Sequence, residues 1–599
     1  MTAFGPGHSG TRGQSRCPAG ANQHNPLKVL VVGDSISHGR EGDWTWRYRI
    51  WQWFEEQRVP VRFVGPYKGT VPPEEPHPPY PPRLITEDPP PWPPPRTNGG
   101  YAAGVHPDFL ANSDHFALSG QQAHQAKDLV AEQVAAYQPD LCLVQLGFND
   151  LGWRVSGPRQ LLADMKHLID EARCAKPDLQ FAVADVPHRT DLPGREDLPA
   201  KTDLYNSLLA AAIPRWSTQA SPVALVRFCE NYSCGGTSSA ASYDGLHPNA
   251  LGEYQLAYSF SLTLASPPFS LGAAPLSIPS RDQIPARPLP TPRDFTASPS
   301  PRGVLLAWSP VYGAFGYDVH HRVAGEPTWH LTHSPSHRWD WCRLPHGQVV
   351  QCRVRASGGD TAKSAWTEAR SVAAGTRTAP PPRNIGTHAT ETGFGIAWEP
   401  VVEDGEGFAG EVERYGVAVF DGDAEGGGWV DVVGVKGTEA EFRGLRRGHR
   451  YFVSVETWTT VAGGGVPAAA RAVRVGRGPP GPPVVVEVRV VDEHTVEVWW
   501  QRVGEAAGYE VWLRKWRLGG DGESGGAAER VKAAALVVSN GQGIDKATVS
   551  GIEPSVWDWE YAVSAYNGND SSEKSEWMTA PEEVSLREGD SIHIDVRHG

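Results

Sequence analysis

Three tryptophans recur in matching surroundings at nearly even spacing: Trp308 in LLAWSPV, Trp398 in GIAWEPV and Trp500 in VWWQRV, 90 and 102 residues apart. A tyrosine-bearing run follows each, GYDVHHR, RYGVAVF and GYEVWLR. A later marker repeats as well: LPHGQVVQCRVRA, LRRGHRYFVSVET and, more loosely, IEPSVWDWEYAVSAYN. Apolar residues alternate through these runs, the pattern of half-buried strands. Self-similarity at a fixed period means one structural unit used repeatedly. Short β-rich runs separated by Gly, Pro and Asp, without a long helical pattern, therefore predict three all-β sandwiches. Their expected bounds are 288–377, 378–477 and 478–587, followed by a tail at 588–599.

The chain upstream obeys a different pattern. Leu27–Val32, Val61–Val64, Leu141–Leu146, Leu179–Val183 and Val223–Phe228 are short, nearly continuous apolar runs, which read as buried parallel strands. Amphipathic segments lie between them. Leu161, Leu162, Met165, Leu168, Ile169 and Ala172 recur at helical spacing behind Pro158; Trp46, Ile50, Trp53 and Phe54 mark an earlier helix. Leu204, Leu208 and Leu209 mark a third, and Leu251–Leu264 a last. Strand–helix alternation predicts an α/β domain over 27–266 with a parallel sheet. Residues 1–26 are expected to be a disordered segment, and 267–287 a Pro-rich linker. Within 71–96, 13 of 26 residues are Pro. Such a segment cannot enter a sheet or helix interior and reads as a surface loop of polyproline II character, with a ligand for a Pro-binding module as the minor alternative.

Composition narrows the function. The 599 residues suit about four domains. With 55 basic and 69 acidic side chains the net charge is −14, which argues against nucleic-acid binding. No uncharged apolar stretch is long enough for a spanning helix, and no apolar core of a secretory signal is visible. Seven cysteines, 17, 142, 174, 229, 234, 342 and 352, are too sparse for a disulfide scaffold and lack structural-zinc spacing. Cys229 with Cys234 is a candidate pair, and Cys342 with Cys352 a weaker one. The 22 tryptophans could serve as sugar platforms but read first as β-domain cores.

The chemistry sits in four short blocks. Gly33-Asp34-Ser35 follows the first apolar run directly, so Ser35 falls at the carboxyl edge of the sheet, where α/β proteins bind ligands. A serine hydroxyl becomes a nucleophile only when a base takes its proton, and that base needs an orienting third group. Asp244-Gly245-Leu246-His247-Pro248 supplies both, because Asp and His three residues apart touch when the chain turns. Gly147-Phe148-Asn149-Asp150 follows another strand onto the same edge, and Asn149 offers a side-chain amide to a developing oxyanion. Gly120, in HFALSGQQA, offers an unobstructed backbone N–H.

The order GDS, G, G-x-N-D, D-x-x-H resembles the SGNH (GDSL-type) hydrolases over about 27–266. The resemblance implies a five-stranded parallel sheet between helices, Ser35 as nucleophile, and His247 as base oriented by Asp244. It also implies an oxyanion hole made by the Ser35 and Gly120 N–H groups and the Asn149 amide, with no metal or organic cofactor. GDSISHGREGDWTWRYRIWQWF, SDHFALSGQQAHQ and YDGLHPNALGEYQLA look like carbohydrate esterase family 3, which includes acetylxylan esterases. The β-units resemble immunoglobulin-like fibronectin type III domains, through the buried Trp, the strand Tyr and the L-x-x-G-x-x-Y-x-V-x-V motif. Only the middle unit keeps Tyr451 at the tyrosine-corner position; Val350 and Trp559 stand there in the others.

The expectation is a serine ester hydrolase removing O-acetyl or other short acyl groups, with acylated carbohydrate as the substrate and polysaccharide or surface binding by the β-domains. The alternatives are a lysophospholipase- or thioesterase-like acyl hydrolase, and a binding or adhesion protein with a vestigial hydrolase domain. Extracellular location is expected, on the β-modules and the Cys229–Cys234 pair, with a cytoplasmic protein as the alternative. His38, near Ser35, reads as a loop residue before a substrate contact; Asp34 reads as loop support; His115 and His188 lack partners at metal-ligand spacing. Asn231-Tyr232-Ser233 and Asn569-Asp570-Ser571 are glycosylation sequons. Gly522-Glu523-Ser524-Gly525-Gly526 matches G-x-S-x-G but lies in a Gly-rich loop rather than between a strand and a helix.

Overall fold

Leu27–Gly33 (β1) is the centre from which the N-terminal domain is built, because Val29–Val32 are fully buried on both faces. The computed structural model describes residues 25–89, 93–359, 362–401, 407–424, 428–492, 494–516, 530–533, 536–539, 543–550 and 558–579. The stretch before residue 25, the Gly522–Gly526 match and the 588–599 tail lie outside the described residues.

After β1 come α1 (Ser35–His38), α2 (Trp46–Glu56), β2 (Val61–Val64), α3 (Pro107–Ala111), β3 (Phe116–Ala117), α4 (Ala123–Ala126) and α5 (Val130–Tyr137). Then follow β4 (Leu141–Gln145), α6 (Phe148–Gly152), α7 (Pro158–Ala175), β5 (Gln180–Ala184), α8 (Leu198–Trp216), β6 (Val223–Val226), α9 (Phe228–Asn231) and α10 (Ala250–Leu264). The parallel sheet runs β2-β1-β4-β5-β6, the five strands read from the apolar runs. A sixth, two-residue strand, β3, pairs the carboxyl end of β1, with Val32 opposite Phe116 and Gly33 opposite Ala117. Two residues carry too little pattern to be legible in a sequence.

Helices cover the sheet: α2 packs on α10, and α7 lies between α5 and α8. In α7 the spacing predicted most of the buried stripe: Leu161, Met165, Leu168, Ile169 and Ala172 are inaccessible, while Leu162 is half-buried. Pro158 starts that helix at a position whose N–H needs no partner. In α8 the reading fails in part. Leu204 is 45% exposed, and the inward stripe is Thr202, Tyr205, Leu209, Ala212, Ile213 and Trp216. Two aromatic rings outside the leucine pattern carry that face.

Beyond the linker the sheets are antiparallel and come in pairs. The first pair is four strands within 316–373 and three within 296–342. Two further pairs follow, and each encloses its own apolar core. The repeated Trp–Tyr marker has one structural explanation in all three units. Trp308 packs on Tyr317, Trp398 on Tyr415 and Trp500 on Tyr509, at centroid distances of 5.1, 5.3 and 5.1 Å. Each tyrosine hydroxyl accepts the backbone N–H three residues past the tryptophan: Val311 at 2.8 Å, Val401 at 3.4 Å and Val503 at 2.8 Å. The ring thus fills the core while its polar tip closes the turn. In the middle unit the Tyr451 hydroxyl also accepts Arg446 N–H at 3.0 Å.

The Pro-rich segment is more than a free surface loop. Its carbonyls and side chains are bound by the β-units: Arg302 donates to Pro79 O, Arg414 to Pro82 O, and Arg83 pairs with Asp431 at 2.9 Å. Leu84 bridges Gly434, and Ile85 packs on the second β-core. A proline-rich chain leaves its carbonyls unpaired, and here arginines take them up. All six described cysteines are free thiols, so neither candidate disulfide is present. Cys234 is instead turned inward, its Sγ donating to Gly245 O at 3.0 Å.

Candidate active site

The Gly33-Asp34-Ser35 block is a strand end turned into a helix start. Asp34 is the N-cap of α1, its Oδ1 accepting Ile36 N–H at 2.9 Å. Ser35 is therefore the first helical residue, where the backbone N–H has no intrahelical acceptor. Burial pushes the Asp34 carboxyl up to about 7, against the lowering effect of that hydrogen bond. Asp34 thus serves the local backbone, capping α1.

Asp244 and His247 meet through the turn between them. Asp244 Oδ1 accepts the Leu246 and His247 N–H groups, at 3.1 and 2.8 Å, and its Oδ2 meets His247 Nδ1 at 2.7 Å. Gly245 makes the turn feasible, with φ +82° and no room for a Cβ against Thr190. Burial alone would raise the Asp244 carboxyl, but the bonds from His247 outweigh it and hold the group below its usual value. On the other edge of the ring, His247 Nε2 lies 2.8 Å from Ser35 Oγ, across 212 residues of sequence. In the neutral ring, Nδ1–H donates to Asp244 and Nε2 accepts the serine hydroxyl proton.

Gly120 and Asn149 are brought to the same place by ties to the neighbouring elements. Leu118 N–H donates to Gly33 O at 3.1 Å, and Ser119 N–H to His38 Nδ1 at 3.2 Å. These bonds fix the Gly120 loop to the end of β1 and to α1. Asn149 Nδ2 donates to Gln121 O at 3.0 Å, which joins the same loop to α6. One amide hydrogen of Asn149 is used in this way, and the second remains. Gly120 has φ +83°, and a Cβ there would come within 3.0 Å of the Trp153 ring. The turn before Asn149 also depends on glycine: Gly147 has φ +117°, with Val186 and Leu161 against it. All five residues singled out from the sequence thus converge on the carboxyl edge of β1 and β4.

Several supporting residues escaped the sequence reading. Arg47, 1% exposed, donates to four carbonyls, those of Ser37, His38, Gly69 and Ser113, so one side chain ties α1 to the loops beside it. Its signal was present, a cation inside the aromatic run WTWRYRIWQWF. Asp150 caps α4 by accepting the Ala123 and His124 N–H groups at 2.9 and 3.0 Å. Trp153, 58% exposed, lies beside Gly120. His38 is buried, and burial together with the Arg47 charge pushes it down to about 3. It stays neutral and serves as the acceptor for Ser119. His115 is likewise consumed internally, between Gly69 O and Ala117 N–H. His188 pairs with Asp203 at 2.9 Å. Among the described residues no cluster of His, Cys, Asp and Glu is arranged to hold a metal ion, and no helix is long and apolar enough to cross a membrane.

A family model described as the GDSL-like Lipase/Acylhydrolase family matches residues 85–254, a range that holds Gly120, Asn149, Asp244 and His247. No curated protein sequence gives a significant match. Among solved structures, the chain is similar to a carbohydrate esterase family 3 from Talaromyces cellulolyticus, at 21% identity over 39% of this chain and 94% of that one, with a TM-score of 0.28. It is similar to a Clostridium thermocellum family 3 carbohydrate esterase at 19% identity, over 40% and 96%, with a TM-score of 0.28. The FN1–FN3 domains of chicken CNTN1 align at 17% identity, over 49% and 98%, with a TM-score of 0.16. By the family match, residues 85–254 belong to a GDSL-like lipase/acylhydrolase domain, and the chain carries an ester-bond hydrolase domain.

Proposed function

We propose that this hydrolase removes O-acetyl or other short acyl groups from a polysaccharide through an acyl-Ser35 intermediate. The observation that carries the mechanism is the unbroken chain Ser35 Oγ, His247, Asp244, with contacts of 2.8 and 2.7 Å. His247 Nε2 takes the hydroxyl proton as Ser35 Oγ attacks the ester carbonyl, and Asp244 stabilises the imidazolium that forms. The Ser35 and Gly120 N–H groups and the free Asn149 amide hydrogen receive the oxyanion. Collapse expels the sugar hydroxyl, protonated by His247, and leaves the acyl group on Ser35. His247 then activates a water, which attacks the acyl carbonyl and releases the carboxylic acid and free Ser35.

One feature favours a sugar substrate. Trp153 presents an open aromatic face beside Gly120, and such a face suits the apolar side of a sugar ring. Polysaccharide contact by the β-domains, and an extracellular location, belong to the same reading; the free thiols of Cys229 and Cys234 remove the disulfide argument for that location.

The test is acetate release from acetylated xylan by the wild type and by Ser35→Ala, followed by an acyl-chain series on p-nitrophenyl esters. Release by the wild type alone, with activity falling beyond butyrate, supports the reading. Preference for long acyl chains would move the substrate to lipids, and full activity in Ser35→Ala would overturn the nucleophile.

A further inference from the structure

The catalytic histidine is backed by a ring stack that crosses into the next domain. Tyr243 lies nearly parallel to His247, at 16° with centroids 5.6 Å apart, and its N–H donates to His247 O at 3.0 Å. Phe315 packs against the Tyr243 ring, tilted by 37° with centroids 4.2 Å apart. Phe315 belongs to the first β-sandwich, directly before its strand Gly316–Val323. Aromatic pairs at such distances favour a limited set of orientations, so the stack restricts how the outer rings tilt.

The contact is clamped on its rim by two arginines. The Arg287 guanidinium, from the linker, lies 4.3 Å over Phe315, pairs with buried Asp43 of the hydrolase domain, and donates to Glu41 O at 3.1 Å and Gly313 O at 2.8 Å. Arg40 lies 5.5 Å from the Phe315 ring and 5.9 Å from the Tyr243 ring. A Cβ on Gly359, in another loop of the sandwich, would collide with Tyr243 O. Nearby, the Tyr312 hydroxyl donates to Tyr101 O at 2.6 Å.

We propose that the first β-sandwich completes the active site: Phe315 is a positioning residue that, through Tyr243, holds the His247 ring in line with Ser35. The proposal rests on the Ser35–His247 reading above. The Asp244 bond fixes one edge of the imidazole but leaves it free to rock about that bond. The Tyr243 face limits the rocking, and Phe315 keeps Tyr243 from withdrawing. Misplacement of a reacting group by a fraction of an ångström is enough to slow proton transfer.

The experiment is a kinetic series on the full chain with p-nitrophenyl acetate, beside the rate at which a serine-directed phosphonate labels the enzyme. Wild type against Ser35→Ala is measured first; undiminished hydrolysis by Ser35→Ala would defeat the Ser35 reading and, with it, this proposal. With the reading in place, Phe315→Ala is expected to lower kcat about tenfold with KM within twofold, and to slow phosphonate labelling in parallel. Phe315→Tyr keeps the ring and is expected to restore kcat to within twofold. Tyr312→Phe, which removes one hydrogen bond of the same interface, is expected to leave kcat unchanged. Wild-type kcat in Phe315→Ala, a loss confined to KM, or equal losses in Phe315→Ala and Tyr312→Phe would overturn the proposal, the last because the interface as a whole would then be responsible.

Discussion

Asn149→Ala separates the oxyanion role proposed for this amide from its structural one. Asn149 is 5% exposed, and one of its amide hydrogens is committed to Gln121 O at 3.0 Å. The other is one of three donors assigned to the oxyanion. Loss of one such donor costs about 2.7–4 kcal/mol of transition-state stabilisation, or about 10²–10³ in kcat. The structural cost is smaller and differently placed. Gln121 O loses a partner inside the loop, worth about 1–3 kcal/mol, offset by up to about 0.7 kcal/mol because Ala favours α6 over Asn. The expected result is a kcat on p-nitrophenyl acetate lowered by two to three orders of magnitude, KM within a factor of about three, and a modest fall in melting temperature. Asn149→Asp should be slower still, because its carboxylate would face the forming oxyanion. In the Ser35→Ala background, Asn149→Ala should remove little further activity, since the two act on one step. A kcat within threefold of wild type, or a loss carried by KM alone, would refute the assignment.

Arg47→Ala leaves the buried carbonyls of Ser37, His38 and Ser113 without this donor, while Gly69 O keeps His115 Nε2 and the Tyr101 hydroxyl; urea unfolding should show a loss on the order of 3 kcal/mol, and Arg47→Lys, which cannot span these sites, should recover only part of it. Asp34 is held neutral up to about 7 by burial, whereas its usual value is 3.8. The folded state therefore keeps a proton that the unfolded chain releases, so this group makes stability fall as pH rises from about 4 to about 7 and adds no further change above that. Asp34→Asn keeps the oxygen that caps Ile36 and should flatten that part of the melting-temperature profile; an unchanged slope would count against the burial argument. Trp153→Ala should lower turnover of acetylated polysaccharide severalfold while leaving p-nitrophenyl acetate nearly unaffected, and equal losses on both substrates would remove Trp153 from sugar contact.

Local pattern was sufficient for much of this protein. The apolar runs from Leu27 and Leu141 became buried parallel strands because a strand covered on both faces leaves no other composition open to it. The Trp308, Trp398 and Trp500 markers announced three sandwiches, since each needs the same ring to fill the same space over the same tyrosine. Asp244 and His247 were legible as a pair because three residues and a glycine turn are enough to close their contact. Where a helix buried rings instead of leucines, as α8 does with Tyr205 and Trp216, periodicity of leucines misled.

What the sequence could not express is any contact made across long separations. The 2.8 Å approach of Ser35 to His247 spans 212 residues and depends on β1 and the turn before α10 meeting at one edge of the sheet. The Pro-rich segment looked like loose surface chain because its partners, Arg302, Arg414 and Asp431, lie hundreds of positions away. The same holds for Phe315, an ordinary aromatic in a β-hairpin region until the domains are placed side by side and its ring is found on Tyr243. Composition and spacing determined which elements form and which residue types carry the chemistry, because those depend on neighbours along the chain. Which side chains meet was decided by tertiary packing, which alone brings distant segments within hydrogen-bonding and stacking distance.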